Sequence, residues 1–242
     1  MKKIPVWDIP IRLFHWAFTL CILIALIIAL FVDDDSTLFS YHIFFGLSAG
    51  FLLVIRLIIA IIGTRYARLS GLFFSPSETF KYFLTSINKN SRKYVGHNPG
   101  SATAALIMFI MVIGLLISGL NIESEFMEEV HPIFAYVLLG VILLHLSGII
   151  LYTINHKENI ALSMIDGKKV GLEEFGINNS QGIIGLVLTI FVGLWFIVLG
   201  NNFTSSNTTL KIPFVNKTIN LGENENENRS IEKDEEENED DD

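Results

Sequence analysis

Five long apolar runs dominate the chain, and each is close to the ~20 residues that a helix needs to cross a bilayer. They contain only three Lys, Arg, Asp, Glu or His residues and lack the polar face of a soluble amphipathic helix. Because backbone groups in lipid must be satisfied within their own segment, the pattern predicts an all-α integral membrane protein. The runs are Leu13–Val32, Ile43–Gly63, Ser101–Leu120, Pro132–Ile154 and Gly182–Gly200.

Basic residues alternate between the connecting segments, and this alternation predicts the orientation. The segments Asp33–Tyr41 and Asn121–Val130 contain no Lys or Arg, whereas the N-terminus and the segments after the second and fourth runs are basic. By the positive-inside rule, the N-terminus is expected in the cytoplasm and the C-terminal tail outside. The basic residues are Lys2, Lys3, Arg12, Arg65, Arg68, Lys81, Lys89, Arg92, Lys93, Lys157, Lys168 and Lys169.

Two segments outside the runs have a character of their own. Ser75-Pro76-Ser77-Glu78 has the N-cap, proline and glutamate of a helix start, and Thr79–Ile87 suits a short helix in the membrane interface or packed on the bundle. At the other end, Glu223–Asp242 carries most of the acid behind the net charge of −8 and is expected to be disordered. The acidic tail is either simply solvated or attracts a basic partner electrostatically. Nothing in the membrane part suggests nucleic acid.

Cysteine content limits the possible redox chemistry. Cys21 is the single cysteine, so no intrachain disulfide forms, and no C-x-x-C-H sequence exists for covalent haem attachment. The first run is long and lacks an A-x-A-like cleavage site, which favours a retained helix over a signal peptide.

Four histidines lie in or at the ends of the apolar runs, where ionisable groups are costly and usually functional. His131 and His145 are 14 residues apart, nearly four helical turns, so they share a face at a separation of about 21 Å. His42 opens the second run at the outer surface, and His15 opens the first at the inner surface. We therefore expect an outer pair, His42 with His131, and an inner pair, His15 with His145.

Each pair of imidazoles has the chemistry to clamp a haem iron axially between helices. A haem with both axial positions filled carries electrons and does not activate oxygen, so two such haems would form a path across the membrane. The inner pair fits less well, because His15 is only ~3 Å into its run while His145 is ~14 Å from the inner end of its own.

Arg56 stands 14 residues after His42 and needs an anion at that depth in lipid. A haem propionate is one candidate, since a guanidinium binds carboxylates bidentately, and snorkelling to the inner interface is the other. His97 and His156 lie in or next to basic loops and are interpreted as surface or interfacial residues.

Several motifs together resemble the prokaryotic cytochrome b561 family, which includes the b-type cytochrome subunits of nickel–iron hydrogenases. The resemblance covers about residues 4–170. Its motifs are Trp7-Asp8-Ile9-Pro10 with Arg12 and His15-Trp16, His42 with Gly46, Arg56 with Gly63-Thr64-Arg65-Tyr66-Ala67-Arg68, Gly96-His97-Asn98-Pro99, His131 with His145, and Asp166-Gly167-Lys168-Lys169.

The resemblance implies a four-helix transmembrane bundle with two non-covalent haems b, and His15, His42, His131 and His145 as axial ligands of the iron. It also implies electron relay between a redox partner protein and quinone, in the inner (plasma) membrane of a bacterium. We expect residues 1–170 to form the di-haem domain, 171–202 a linker and a fifth transmembrane helix, and 203–242 a polar, acidic, disordered tail. The last two segments depart from the family pattern and leave the partner open.

The leading hypothesis is a respiratory electron carrier that moves electrons across the membrane between a redox partner and the quinone pool. A metal or proton transporter using membrane histidines is an alternative, although the runs contain no Asp or Glu that could line a pathway. Another alternative is a self-contained quinone-linked oxidoreductase acting on a small donor such as superoxide.

Overall fold

The structure is a computed structural model that describes residues 2–34, 36–87, 92–204, 209–211 and 218–220. Five helices in these ranges are long and apolar enough to cross a membrane, which confirms the five predicted spans. In chain order the helices are α1 (Ile9–Phe31), α2 (Ser40–Ile62), α3 (Pro76–Ile87), α4 (Pro99–Leu120), α5 (Glu125–His156), α6 (Ser163–Asp166) and α7 (Gly182–Asn201), and the five candidate spans are α1, α2, α4, α5 and α7.

Large apolar side chains remain exposed along the spans. Ile61 and Ile183, for example, keep about four-fifths of their surface accessible, at 79% and 82%. Exposed apolar surface on this scale would be a liability in water, whereas lipid tails are a suitable solvent for it.

Helix α5 is longer than its apolar run. It covers 32 residues and begins at Glu125, seven residues before the predicted start at Pro132. Its first turn is acidic, with Glu125 and Glu128, so the hydropathy pattern misses a turn that is helical but polar. As a result, His131 lies inside the helix instead of just ahead of it.

The start of α3 confirms the predicted helix signature. Ser75 donates to the Glu78 carboxylate through both its backbone N and its Oγ, each at 3.0 Å, and Glu78 N donates back to Ser75 Oγ at 3.2 Å. This reciprocal arrangement is a capping box, which satisfies the first donors of the helix.

Two short strands bring distant parts of the chain together. Strand β1 (Lys2–Pro5) pairs antiparallel with β2 (Lys168–Gly171), and Ile4 lies opposite Lys169. Four spans separate these strands in the sequence. Nothing in the hydropathy pattern predicted this pairing, because it joins two segments of only four residues each.

The contacts divide the chain into two compact units, and both α1 and α2 contribute to each. The first unit comprises Met1–Leu20 and Ala49–Phe191, and the second comprises Cys21–Ser48 and Val192–Asp242. In the first unit, α4 packs along α5 and α3 packs on α4.

In the second unit, α7 packs against the beginning of α2. Leu199 is fully buried against Ile43, Phe44 and Leu47, and Trp195 Nε1 donates to Ser48 Oγ at 3.2 Å. Three short strands follow: β3 (Phe203–Thr204), β4 (Thr209–Lys211) and β5 (Thr218–Asn220). The sequence did not predict them, and the predicted disorder of Glu223–Asp242 concerns residues outside the described ranges.

Candidate functional site

The inner pair lies in the first unit. His15 is on the second turn of α1 and His145 is in the middle of α5, and each lies within electrostatic range of the other. The His15 ring stands edge-on to Trp16 with centroids 5.3 Å apart. His15 Nδ1 is buried and has no hydrogen-bond partner among the described residues.

His131, the α5 member of the outer pair, is held by α4. Its Nδ1 lies 2.9 Å from Ser118 Oγ, and Ser118 is fully buried. The Ser118 hydroxyl donates to the Gly114 carbonyl at 2.8 Å, so it accepts the hydrogen bond from His131 Nδ1. This leaves the lone pair of the imidazole on Nε2, which is the tautomer that a metal ligand requires.

His42 has the same tautomer, set by a different acceptor. Its Nδ1 lies 2.9 Å from the Ala25 carbonyl, and a carbonyl only accepts, so Nδ1 carries the proton. The ring also stacks on Phe39 with centroids 5.3 Å apart. His42 belongs to the second compact unit and His131 to the first.

Arg56, on α2, is a charged side chain in an apolar setting. It is 2% exposed, and its guanidinium carbon lies 5.9 Å and 6.0 Å from the ring centroids of Phe14 and Phe109. Its Nη1 is buried and has no hydrogen-bond partner among the described residues. The side chain therefore does not snorkel to solvent, and an anion is the natural complement to its unused donor.

His97 was expected to be a surface or interfacial residue, and in the structure it is partly buried just before α4. Its ring packs on Trp7 with centroids 4.7 Å apart, and its Nε2 is buried without a hydrogen-bond partner in the described part of the chain. Burial, followed by the charges of Arg56 and Lys169 and by His145 and His15, lowers the pKa of His97 to about 3. The imidazole is therefore neutral near pH 7 and lies close to the inner pair.

The residues fit a haem better than a metal ion bound by side chains alone. Among the residues that the structure describes, no three His, Cys, Asp or Glu side chains come together to hold a metal ion. A haem brings four equatorial nitrogens and needs only two axial ligands from the protein. The imidazoles of His15 and His145, within electrostatic range of each other, and a buried guanidinium with an unused donor suit an iron porphyrin that carries carboxylates.

Known proteins point in the same direction. Residues 6–167 match the sequence profile of prokaryotic cytochrome b561. One relative is the "Probable Ni/Fe-hydrogenase 1 B-type cytochrome subunit" of Escherichia coli (strain K12), which is 25% identical over 154 residues, or 54% of this chain and 63% of the relative. The protein of the same name from Escherichia coli O157:H7 gives the same figures.

The chain thus covers less than two thirds of the length of these relatives, and no solved structure gives a significant match. The profile match nevertheless takes in more than half of the chain, including four of the five spans and all the histidines discussed above, and it ends before α7. The chain belongs to the prokaryotic cytochrome b561 family, whose members are multi-pass membrane cytochromes of the b type that contain haem and transfer electrons.

Proposed function

We propose that this chain is a di-haem cytochrome that carries electrons across the membrane between a redox partner protein and the quinone pool. In this proposal His15 and His145 bind the inner haem iron, and His42 and His131 bind the outer one. Arg56 binds a propionate of the inner haem.

The arrangement of histidines on α5 carries the proposal. His131 and His145 lie 14 residues apart within one continuous helix, which corresponds to about 21 Å along its axis. A single rigid element therefore offers an imidazole at two depths. His145 lies near His15, and both members of the outer pair hold their Nδ1 proton against a protein acceptor, which supports a role as ligands.

The side chains have defined tasks in this function. The two imidazoles of each pair would hold the haem iron, which would supply one-electron redox chemistry and, with both ligands bound, would leave no site for oxygen. Ser118 Oγ and the Ala25 carbonyl fix the orientation of the outer rings. Arg56 offsets carboxylate charge in a region of low dielectric, where a positive charge raises the potential of a nearby haem.

The partner, the quinone and the orientation rest on the family and on charge. A relative is named as a hydrogenase cytochrome subunit, which supports a redox partner for this chain as well. The basic loops support a cytoplasmic N-terminus and, with five spans, a C-terminal tail on the outside.

Redox difference spectra of the purified full-length protein test the proposal. We expect sharp b-type bands and a ratio of two haems per chain. Replacing His145 or His15 by Ala should remove one haem, replacing His131 or His42 by Ala should remove the other, and His156→Ala on the same helix α5 should retain both. A colourless folded protein, or four variants that keep both haems, would refute the assignment.

A second measurement addresses the partner. If the isolated chain reduces a soluble quinone with superoxide as the donor at a rate that needs no other subunit, the chain acts alone. If turnover requires a co-purified subunit, the chain is the membrane part of a larger enzyme, as proposed.

A further inference from the structure

His97 and Arg56 share a feature that the proposed ligand set does not explain. Each is a side chain with a buried nitrogen, Nε2 and Nη1 respectively, that has no hydrogen-bond partner among the described residues. His97 lies within electrostatic range of Arg56 and of both members of the inner pair. Buried polar nitrogens without partners are costly, so the two together indicate a ligand, and with the His97 proton on Nε2 both nitrogens would donate to one acceptor.

Among the residues that the structure describes, no carboxylate contacts these two nitrogens. The carboxylate that acts electrostatically on Arg56 is that of Asp8, and Asp8 is fully buried. Its Oδ1 accepts from Ile11 N at 3.0 Å, and its Oδ2 accepts from Thr64 N at 3.1 Å and Thr64 Oγ1 at 2.7 Å. Ion pairs between described residues all involve lysines. Asp8 therefore caps α1 and binds Thr64, and no carboxylate of a described residue forms an ion pair with Arg56.

The surroundings of His97 fix its ring. Trp7, on which it packs, is anchored by a hydrogen bond of 3.1 Å from its Nε1 to Ser163 Oγ. Lys169 Nζ donates to the carbonyls of Tyr94 at 2.7 Å and Gly96 at 3.2 Å, which holds the backbone that leads into His97.

The next residue, Asn98, caps α4 through Ser101 N at 2.8 Å. The backbone on either side of His97 is fixed by these hydrogen bonds, and its ring is fixed by packing on Trp7. The side chain is therefore preorganised, which reduces the entropy lost on binding.

We propose that His97 Nε2 and Arg56 Nη1 together bind one carboxylate, a propionate of the inner haem. The inference rests on the proposed function, since it presupposes a haem between His15 and His145. Its ligand class follows from the donors, because a cationic guanidinium beside a neutral imidazole N–H suits a single carboxylate. A haem held by the inner pair would bring its carboxylates within reach of its surroundings, and His97 lies within electrostatic range of both Arg56 and the inner pair.

The experiment follows the propionate directly in the full-length holoprotein. Haem carrying ¹³C in its propionate carboxyl groups is incorporated during expression, and redox-induced infrared difference spectra are recorded for the wild type, His97→Leu and His97→Gln. Leu removes the donor at similar volume, and Gln retains an N–H. We expect the labelled carboxylate band to shift in His97→Leu and to return close to the wild-type position in His97→Gln.

Haem release gives an independent readout. One haem should dissociate about tenfold faster from His97→Leu than from the wild type, as expected for the loss of a hydrogen bond to a charged group. The other haem should be unaffected. If His97→Leu does not assemble, the pair His97→Gln and His97→Asn tests the same contact, because the shorter amide withdraws the donor by one methylene.

The outcomes separate the possible failures. An unchanged labelled band and an unchanged release rate in His97→Leu would overturn this inference alone, provided that His145→Ala still removes one haem. A haem content indifferent to His145→Ala would overturn the proposed function. A free anion in place of the propionate would be revealed by an inner-haem potential that follows the acetate concentration at constant ionic strength, and this would also overturn the inference.

Discussion

Ser118→Ala is the sharpest test of how the outer haem is held. The hydroxyl accepts from His131 Nδ1 at 2.9 Å, and Ser118 is fully buried, so water has no access to replace it. The variant loses a net hydrogen bond of about 1 kcal/mol and leaves a buried N–H unsatisfied at about 1–3 kcal/mol. The axial ligand also loses its orienting partner, and such losses typically cost about ten- to a hundredfold in metal affinity.

The assay is the transfer of haem to excess apomyoglobin, followed by absorbance. Two haems should leave in two kinetic phases, and Ser118→Ala should accelerate one phase by at least about tenfold, equivalent to about 1.4 kcal/mol. Ser147→Ala is the matched control, because Ser147 donates to the Leu143 carbonyl at 2.8 Å, as Ser118 does to the Gly114 carbonyl, but is exposed and forms no hydrogen bond with a described histidine. Unchanged phases in Ser118→Ala, or equal acceleration in both variants, would refute the reasoning.

Three further predictions concern the same unit. In Gly119→Ala the new Cβ would lie 3.2 Å from Cε1 of His131, so the low-spin electron paramagnetic resonance signal of one haem should shift, while Gly140→Ala, with nothing within 4 Å, should leave it unchanged. Asp8→Ala removes the cap of α1 and the acceptor for two donors, so the unfolding free energy should fall by about 3 kcal/mol and the apparent Tm with it. Burial lowers the pKa of Lys169 from 10.5 to about 8, with Glu158 acting in the opposite direction, so the folded state binds fewer protons than the unfolded state between those values. The stability of the wild type should therefore rise relative to Lys169→Met between pH 8 and 10.5, as thermal unfolding at several pH values would show.

The five spans were accessible from sequence because they depend on short-range patterns, whereas the pairing of the inner histidines stays a prediction. Apolar runs locate helices, and a spacing of 14 residues places two side chains on one face. Part of the predicted difference in depth between His15 and His145 comes from where the ends of the helices were placed. Since α1 begins at Ile9 and α5 ends at His156, the difference falls from about 11 Å to about 8 Å. The hydropathy pattern places the polar turns at the ends of α1 and α5 in the loops, and this exaggerates the difference in depth.

The environment of His97 could not be predicted because it is formed by segments that are distant in the sequence. Its neighbours Trp7 and Lys169 are 90 and 72 residues away in the sequence, and they meet it through the pairing of β1 with β2. Its place next to basic residues favoured a surface or interfacial position. Two signals in the sequence pointed further: the Gly96-His97-Asn98-Pro99 motif of the resemblance, and the N-cap and proline that place His97 just before the start of α4.

Strand β1 can pair with β2 only if an even number of membrane-spanning helices lies between them in the chain. Ile4 and Lys169 form backbone contacts only if both reach the same aqueous compartment, so an even number of crossings must separate them. Helices α1, α2, α4 and α5 provide four. A chain in which one of these helices failed to insert would leave β1 and β2 in different compartments, where they could not pair. The β1–β2 pair therefore forms only in a chain whose four intervening helices have inserted so that both strands lie on the same side of the membrane.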